Sequence, residues 1–65
     1  MCESVVVLRK GGRETKIMED VGRIVIEGDT VTCIGILGQR KQLKNAMVRD
    51  ANLMEHRIIL EEAKK

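Results

Sequence analysis

Short runs of β-branched residues, separated by turns that contain glycine, extend along the whole of this 65-residue chain. Such runs, bounded by turn residues, are typical of β-strands. The predicted strands are residues 3–9, 13–18, 23–27, 30–37, 47–53 and 57–61, with turns at 10–13, 28–29 and 54–56. Strands at this spacing predict an all-β fold, a small antiparallel barrel of the SH3-like or OB-like type with about six to seven short strands.

The segment KNAMVRDANLMEHRIILEE admits two interpretations. Its apolar residues are spaced mostly three and four apart, which would suit a helix. The adjacent Ile58 and Ile59 favour a strand instead, and we predict the last two strands here. Gly35 interrupts the longest predicted strand, where we expect a bulge or a sharp bend.

The core of this fold has to be built without aromatic rings, because the chain contains no Phe, Trp or Tyr. Its length corresponds to a single domain, residues 1–65, near the lower limit for independent folding. Aliphatic side chains bury less surface than rings do. We therefore predict a homodimer, which enlarges the usable core.

Nothing in the sequence predicts export or membrane insertion. The longest uninterrupted apolar run, residues 5–8, has four residues, far fewer than the roughly 20 that a membrane span needs. The two cysteines, Cys2 and Cys33, do not form a disulfide framework. We expect a soluble, cytoplasmic protein, and the net charge of +2 indicates no particular partner.

Motifs of catalysis are missing from the sequence. There is one histidine, His56, and there is no C-x-x-C, phosphate-binding loop or dinucleotide fingerprint. The single serine, Ser4, has no base near it in the chain. We predict that the protein is not an enzyme.

Cys2 is the strongest candidate for a metal ligand. Removal of Met1 would leave a terminal cysteine whose α-amine and thiolate form a five-membered N,S chelate, and the neighbouring ammonium favours the thiolate. Two such termini in a dimer would supply two nitrogens and two sulfurs. Four donors in a plane suit Ni(II) or Cu(II), and a tetrahedral arrangement suits Zn(II). If Met1 is retained, its amine and the Cys2 amide would join the thiolate.

The segments MCESVVVL, GGR, RIVIEGDTVTC and RIILEE resemble the CooT family of small nickel-binding accessory proteins, associated with maturation of carbon monoxide dehydrogenase. The resemblance extends over essentially the whole chain, and Met1-Cys2 is its functional motif. It implies an SH3-like barrel, a homodimer and Ni(II) bound at Cys2. Hydrogenase chaperones of the HypC type share the Met-Cys start, but Glu3-Ser4 and the absence of proline make them the poorer match.

The function predicted from these observations is that of a metallochaperone. The protein would hold Ni(II) through Cys2 and deliver it to a maturing nickel enzyme, with carbon monoxide dehydrogenase as the candidate client. The sequence leaves open the client, the preference for Ni over Cu or Zn, and whether His56 or backbone nitrogens complete the site.

The remaining sulfur and imidazole groups have structural interpretations. Cys33 should face the core together with Val31 and Leu37, and His56 should be a solvated turn residue. Glu3 should point away from Cys2, because neighbouring strand residues face opposite sides. The three internal methionines are predicted to fill gaps in the core: Met18, Met47 and Met54.

RNA binding is the alternative function, and members of the CooT family have been described as predicted RNA-binding proteins. Two basic clusters could contact phosphates: Arg9, Lys10, Arg13 and Lys16, and Arg40, Lys41 and Lys44. Small β-barrels usually hold single-stranded RNA by stacking bases on aromatic rings, and this chain has none. The sequence therefore favours the metal over the nucleic acid.

Overall fold

The structure, a computed structural model, describes residues 4–63 and contains six β-strands. The strands are β1 (Ser4–Lys10), β2 (Arg13–Glu27), β3 (Thr30–Gly35), β4 (Arg40–Lys44), β5 (Ala46–Asn52) and β6 (Arg57–Glu62). They form one sheet in the order β4-β3-β2-β1-β6-β5. The prediction of a small all-β fold is confirmed. Over these residues, no helix has the length and hydropathy that crossing a membrane requires.

The predicted turns lie where the sequence placed them. Gly11 and Gly12, between β1 and β2, have φ angles of 58° and 80°. Two successive positive φ angles define a type I′ hairpin turn, which glycine adopts without steric cost. Gly28 (φ 61°) turns β2 into β3, and residues 53–56 connect β5 to β6.

One strand pair departs from the expected antiparallel arrangement. β6 pairs with β1 in the parallel sense, with Val5 opposite Arg57 and Arg9 opposite Glu61. Parallel neighbours need a long connection. Here β2 to β5 provide it, so the first and last strands of the sheet are adjacent although they are far apart in sequence.

The second strand is continuous where the sequence predicted two separate segments. The first half of β2 pairs with β1, and its second half pairs with β3. Between the halves, Asp20 has a φ of 56°, and Gly22 is an extra residue opposite the Ile34–Gly35 step of β3. A bulge of this kind bends a strand without ending it. The expected irregularity therefore lies at Gly22 in β2, across from Gly35.

The segment after Gly35 also differs from the prediction. β3 ends at Gly35, and Leu37 is 86% exposed, so Leu37 is not a core residue alongside Cys33. The Gly38 amide N–H donates to the Gly35 carbonyl oxygen (3.0 Å) and closes a turn. The chain then forms a further strand, β4, which the sequence did not predict.

The sheet curls because its two edge strands are joined by one residue. β4 and β5 lie at opposite ends of the strand order, yet only Asn45 (φ 57°) separates them in the chain. The Ala46 amide N–H donates to the Asp29 carbonyl oxygen (2.9 Å), and β3 contacts β5 across the interior. The result is a barrel-like fold in which β4 and β5 are not joined by a ladder of hydrogen bonds over residues 4–63.

The interior of the curled sheet is aliphatic. Its fully or nearly fully buried members are Val6, Val21, Val31, Cys33, Ala46 and Leu60. Val7 and Ile59 are also buried, but they are cross-strand neighbours on the opposite face from Val6 and Leu60. On that outer face the Glu14 carboxylate accepts hydrogen bonds from both Arg9 and Arg57, and the arginine stems can cover the apolar surface beneath.

Candidate metal centre at the start of the first strand

The predicted ligand Cys2 and its neighbour Glu3 lie outside the described residues, which begin at Ser4. The start of β1 is nevertheless well defined. Ser4 is paired with Val21 of β2, and the Val5 amide N–H donates to the His56 carbonyl oxygen (2.8 Å). The strand from which the terminus extends is therefore held on both sides, by β2 and by β6.

A shallow groove of about 220 Å³ adjoins this strand start. Ser4 and Ile58 line one part of it, Gly22 and Ile24 another, and Leu53 stands at its rim with 73% of its surface exposed. Ile36, from the turn after β3, lies beside Gly22, with its Cγ2 atom 3.2 Å from where a Cβ would be. Apolar surface is thus left uncovered at the end of the sheet where β1 begins.

His56 adjoins the start of β1 through its backbone. It has a φ of 55°, lies in the turn before β6 and is half-buried. The predicted turn position is confirmed, whereas the expectation of a fully solvated side chain is not. Its carbonyl oxygen is engaged by Val5, so any metal bond from this residue would come from the imidazole.

Cys33 is a free thiol in the centre of the core. It is 0% exposed, as predicted, and pairs with Ile24 of β2 and Lys41 of β4. Burial raises the pKa of the Cys33 thiol, because the low-dielectric surroundings disfavour the thiolate. A protonated, solvent-inaccessible thiol is not a metal ligand.

Other donor groups do not assemble into a site within residues 4–63. No three His, Cys, Asp or Glu side chains there are grouped closely enough to hold a metal ion. Met18 packs against the core as predicted. Met54 is 92% exposed and Met47 is also exposed, so neither fills a gap in the core.

Comparison with known proteins decides the family. The family model described as "CO dehydrogenase accessory protein CooT" matches residues 1–61. The chain belongs to the CooT family. Membership implies an accessory role in the maturation of carbon monoxide dehydrogenase, in which a CooT protein is not itself the enzyme.

A solved CooT structure has the same fold. The crystal structure of a protein assigned as CooT from Carboxydothermus hydrogenoformans superposes with a TM-score of 0.85 at 28% identity, covering 97% of this chain and 100% of that one. An uncharacterized protein of Archaeoglobus fulgidus is 46% identical over 44 residues, which make up 68% of this chain and 96% of that protein.

The structure also places side chains that the sequence did not single out. Arg23 lines the groove beside Ser4, and its Cα partner in β3 is Ile34, which in turn is paired with Arg40. The alternation of Val31 and Cys33 as core residues would have placed Ile34 outward. The pairing with Arg23 and Arg40 depends on the Gly22 bulge and on β4, neither of which the sequence pattern indicates.

Proposed function

We propose that this CooT protein holds Ni(II) through Cys2 in a homodimer and delivers the ion to a maturing nickel enzyme, carbon monoxide dehydrogenase. The burial of Cys33 is the observation that carries the proposal. With that thiol enclosed in the core, Cys2 is the one remaining cysteine of the chain. In this proposal nickel is the ion that the protein transports, and the accessory role of the CooT family is consistent with such transport.

The chemistry of a terminal cysteine suits a carrier. A thiolate with an adjacent nitrogen is a soft, chelating donor pair that Ni(II) accepts. One chain offers too few donors to complete a square plane, and two chains together offer two nitrogens and two sulfurs. An open site with few ligands also releases its ion more readily than a closed cage of four thiolates does.

A second copy of the chain would give the uncovered apolar surface a partner. Leu53 and Ile36 border the groove at the start of β1, and a homodimer packed there would bring two termini together. The pairing of Ser4 with Val21 fixes the first described residue after Cys2, and the two peptide units between Ser4 and Cys2 span at most about 7 Å. A shared ion between two such termini is geometrically reasonable. In this proposal the protein acts in the cytoplasm.

Native mass spectrometry of the untagged protein with Ni(II) tests the proposal. We expect one nickel ion per two chains, and the same spectrum reports whether Met1 is removed. Cys2→Ser should bind no nickel. Cys33→Ala is the matched control, because it removes the other thiol, and it should bind nickel as the parent does.

Two results would contradict the proposal. Nickel bound normally by Cys2→Ser would place the site elsewhere, and loss of nickel only in Cys33→Ala would reverse the two cysteines. His56→Gln, measured alongside, separates the imidazole from backbone nitrogens as the additional donor. A lower nickel affinity in that variant, with the dimer intact, would add His56 to the ligand set.

A further inference from the structure

The outward side of β2, β3 and β4 carries three cross-strand rows of side chains. The first row is Arg23, Ile34 and Arg40, the second is Val25, Thr32 and Gln42, and the third is Glu27, Thr30 and Lys44. Val31 and Cys33 of β3 face the core, so the residues alternating with them face outward. We call this surface the basic face, since two arginines and a lysine stand on it and Glu27 is its one acidic residue.

The charges of the basic face differ from those around β1 and β6. Around β1 and β6, basic side chains have acidic partners: Arg9 and Arg57 contact Glu14, and Lys10 lies 3.8 Å from Glu62. Over residues 4–63, no such ion pair involves Arg23, Arg40 or Lys44. Residues 21–45 hold four basic and two acidic side chains, and the rest of the chain holds eight of each. The net charge of +2 therefore resides in this part of the molecule.

The position of the basic face links it to the proposed nickel site. Arg23 lies two residues beyond Val21, whose Cα partner in β1 is Ser4. Arg23 also lines the groove that adjoins the strand start. A partner seated on the face would consequently lie next to Ser4, which is two residues from Cys2 in the chain.

We propose that the basic face is the surface on which this protein docks its client, through an acidic patch on the nickel-free carbon monoxide dehydrogenase. This inference rests on the proposed delivery function and adds the recognition surface to it. Arginines beside exposed aliphatic surface are the composition found at protein interfaces, where an arginine can pair with carboxylates and its neighbours exclude water. Val25 and Ile34, both half-buried, supply that aliphatic surface.

A protein surface fits the face better than a nucleic acid does. Single-stranded RNA is held on a β-sheet largely by bases stacked on aromatic side chains. The basic face offers aliphatic side chains, threonines and Gln42, whose amide donates to the Thr32 hydroxyl (3.4 Å). Such groups complement carboxylates and apolar side chains.

The test measures binding of the full-length protein to nickel-free carbon monoxide dehydrogenase by isothermal titration calorimetry. Arg40→Gln/Lys44→Gln removes two charges from the face and leaves the groove beside Ser4 unchanged. The matched control, Arg13→Gln/Arg49→Gln, removes two exposed arginines elsewhere, from the start of β2 and from β5. We expect the face variant to lose about tenfold or more in affinity at low salt, and the control to change by less than about twofold. The parent's affinity should fall as salt is raised.

Three outcomes would overturn the docking proposal: no binding of the dehydrogenase, equal effects of the two double variants, or no loss in the face variant. A 20-nucleotide poly(U) RNA is titrated in parallel. Tighter binding of this RNA than of the dehydrogenase, with the same dependence on Arg40 and Lys44, would assign the face to nucleic acid.

Nickel binding keeps the two proposals separable. The Arg40→Gln/Lys44→Gln variant should retain the nickel stoichiometry of the parent, whereas Cys2→Ser should lose nickel and still dock. If Cys2→Ser keeps its nickel, the proposed function is wrong, but the docking measurement still reports whether the dehydrogenase binds the basic face. If only the docking arm fails, the nickel proposal is unaffected.

Discussion

The thiol of Cys33 is enclosed by the aliphatic core, and its protonation therefore contributes to the stability of the folded protein. Its raised pKa means that the folded protein holds this proton more tightly than the unfolded chain does. The contribution to stability is complete below the pKa of the unfolded thiol, about 8.5, and is lost as pH rises through the folded pKa.

We therefore expect the free energy of unfolding to fall above about pH 8.5, and this fall to be smaller without Cys33. Urea unfolding of Cys2→Ser at several pH values between 7 and 10 measures the slope. Cys2→Ser/Cys33→Ala is the matched control, since the two proteins differ only in the buried thiol. Parallel curves for the two would show that folding does not raise the pKa of the Cys33 thiol.

The residues of the candidate site were predictable to different degrees. Alternation with Val31 placed Cys33 in the core correctly, because a strand with one buried face repeats every second residue. The same alternation failed for Leu37, since β3 ends at Gly35 and a turn follows. The prediction that Met47 and Met54 are core residues was wrong, because it rested on their hydrophobicity alone. Met47 lies on the edge strand β5 and Met54 in the turn before β6, and both are exposed.

Among the structural elements, the junction between β4 and β5 is a one-residue connection whose backbone favours particular residues. Asn45 alone connects two strands at opposite edges of the sheet, and its φ of 57° lies in the left-handed region. Its carbonyl oxygen accepts a hydrogen bond from the Ala63 amide N–H (2.7 Å), which ties the end of β6 to this point.

Asn45→Val should lower the free energy of unfolding by about 1–2 kcal/mol, because a β-branched residue is strained at positive φ. Asn45→Gly should change it by less than about 0.5 kcal/mol, since glycine adopts this conformation freely. Chemical denaturation of both variants gives the comparison. Equal stability of the two would mean that the junction relaxes to another conformation.

Two elements escaped prediction for physical reasons. RKQLK, which forms β4, has no β-branched residue, and it becomes a strand because β3 offers it an unpaired edge. Pairing with a neighbouring strand in the folded protein outweighs the weak intrinsic strand propensity of this segment. The sequence did not predict that β2 is continuous, because a glycine within a run of strand residues reads as a turn. In the structure the strand bends at Asp20 and at the Gly22 bulge without ending.

At the scale of the whole molecule, the aromatic-free core is small, and several large apolar side chains are exposed: Ile26, Ile36, Leu37, Met47, Leu53 and Met54. Surface of this kind on a marginal domain is compatible with association. The proposed homodimer would couple folding to protein concentration, because dissociation and unfolding would then occur together.

Thermal unfolding should accordingly depend on concentration. For a dimer of this size, we expect the midpoint to rise by about 5 °C for each tenfold increase in protein concentration. Calorimetry over a hundredfold range measures this, with sedimentation equilibrium on the same samples. Leu53→Glu, at the groove beside Ser4, should reduce the dependence. A midpoint that stays constant over the whole range would identify a monomer.

The parallel ladder between β1 and β6 has a consequence for how the chain acquires its shape during synthesis. β1 can join β2 as soon as the Gly11–Gly12 hairpin has left the ribosome, but its other neighbour begins only at Arg57. The edge of β1 therefore stays open until nearly all of the polypeptide has emerged. Closing a loop of that length costs entropy before any contact compensates for it, which slows folding relative to a protein of purely local hairpins.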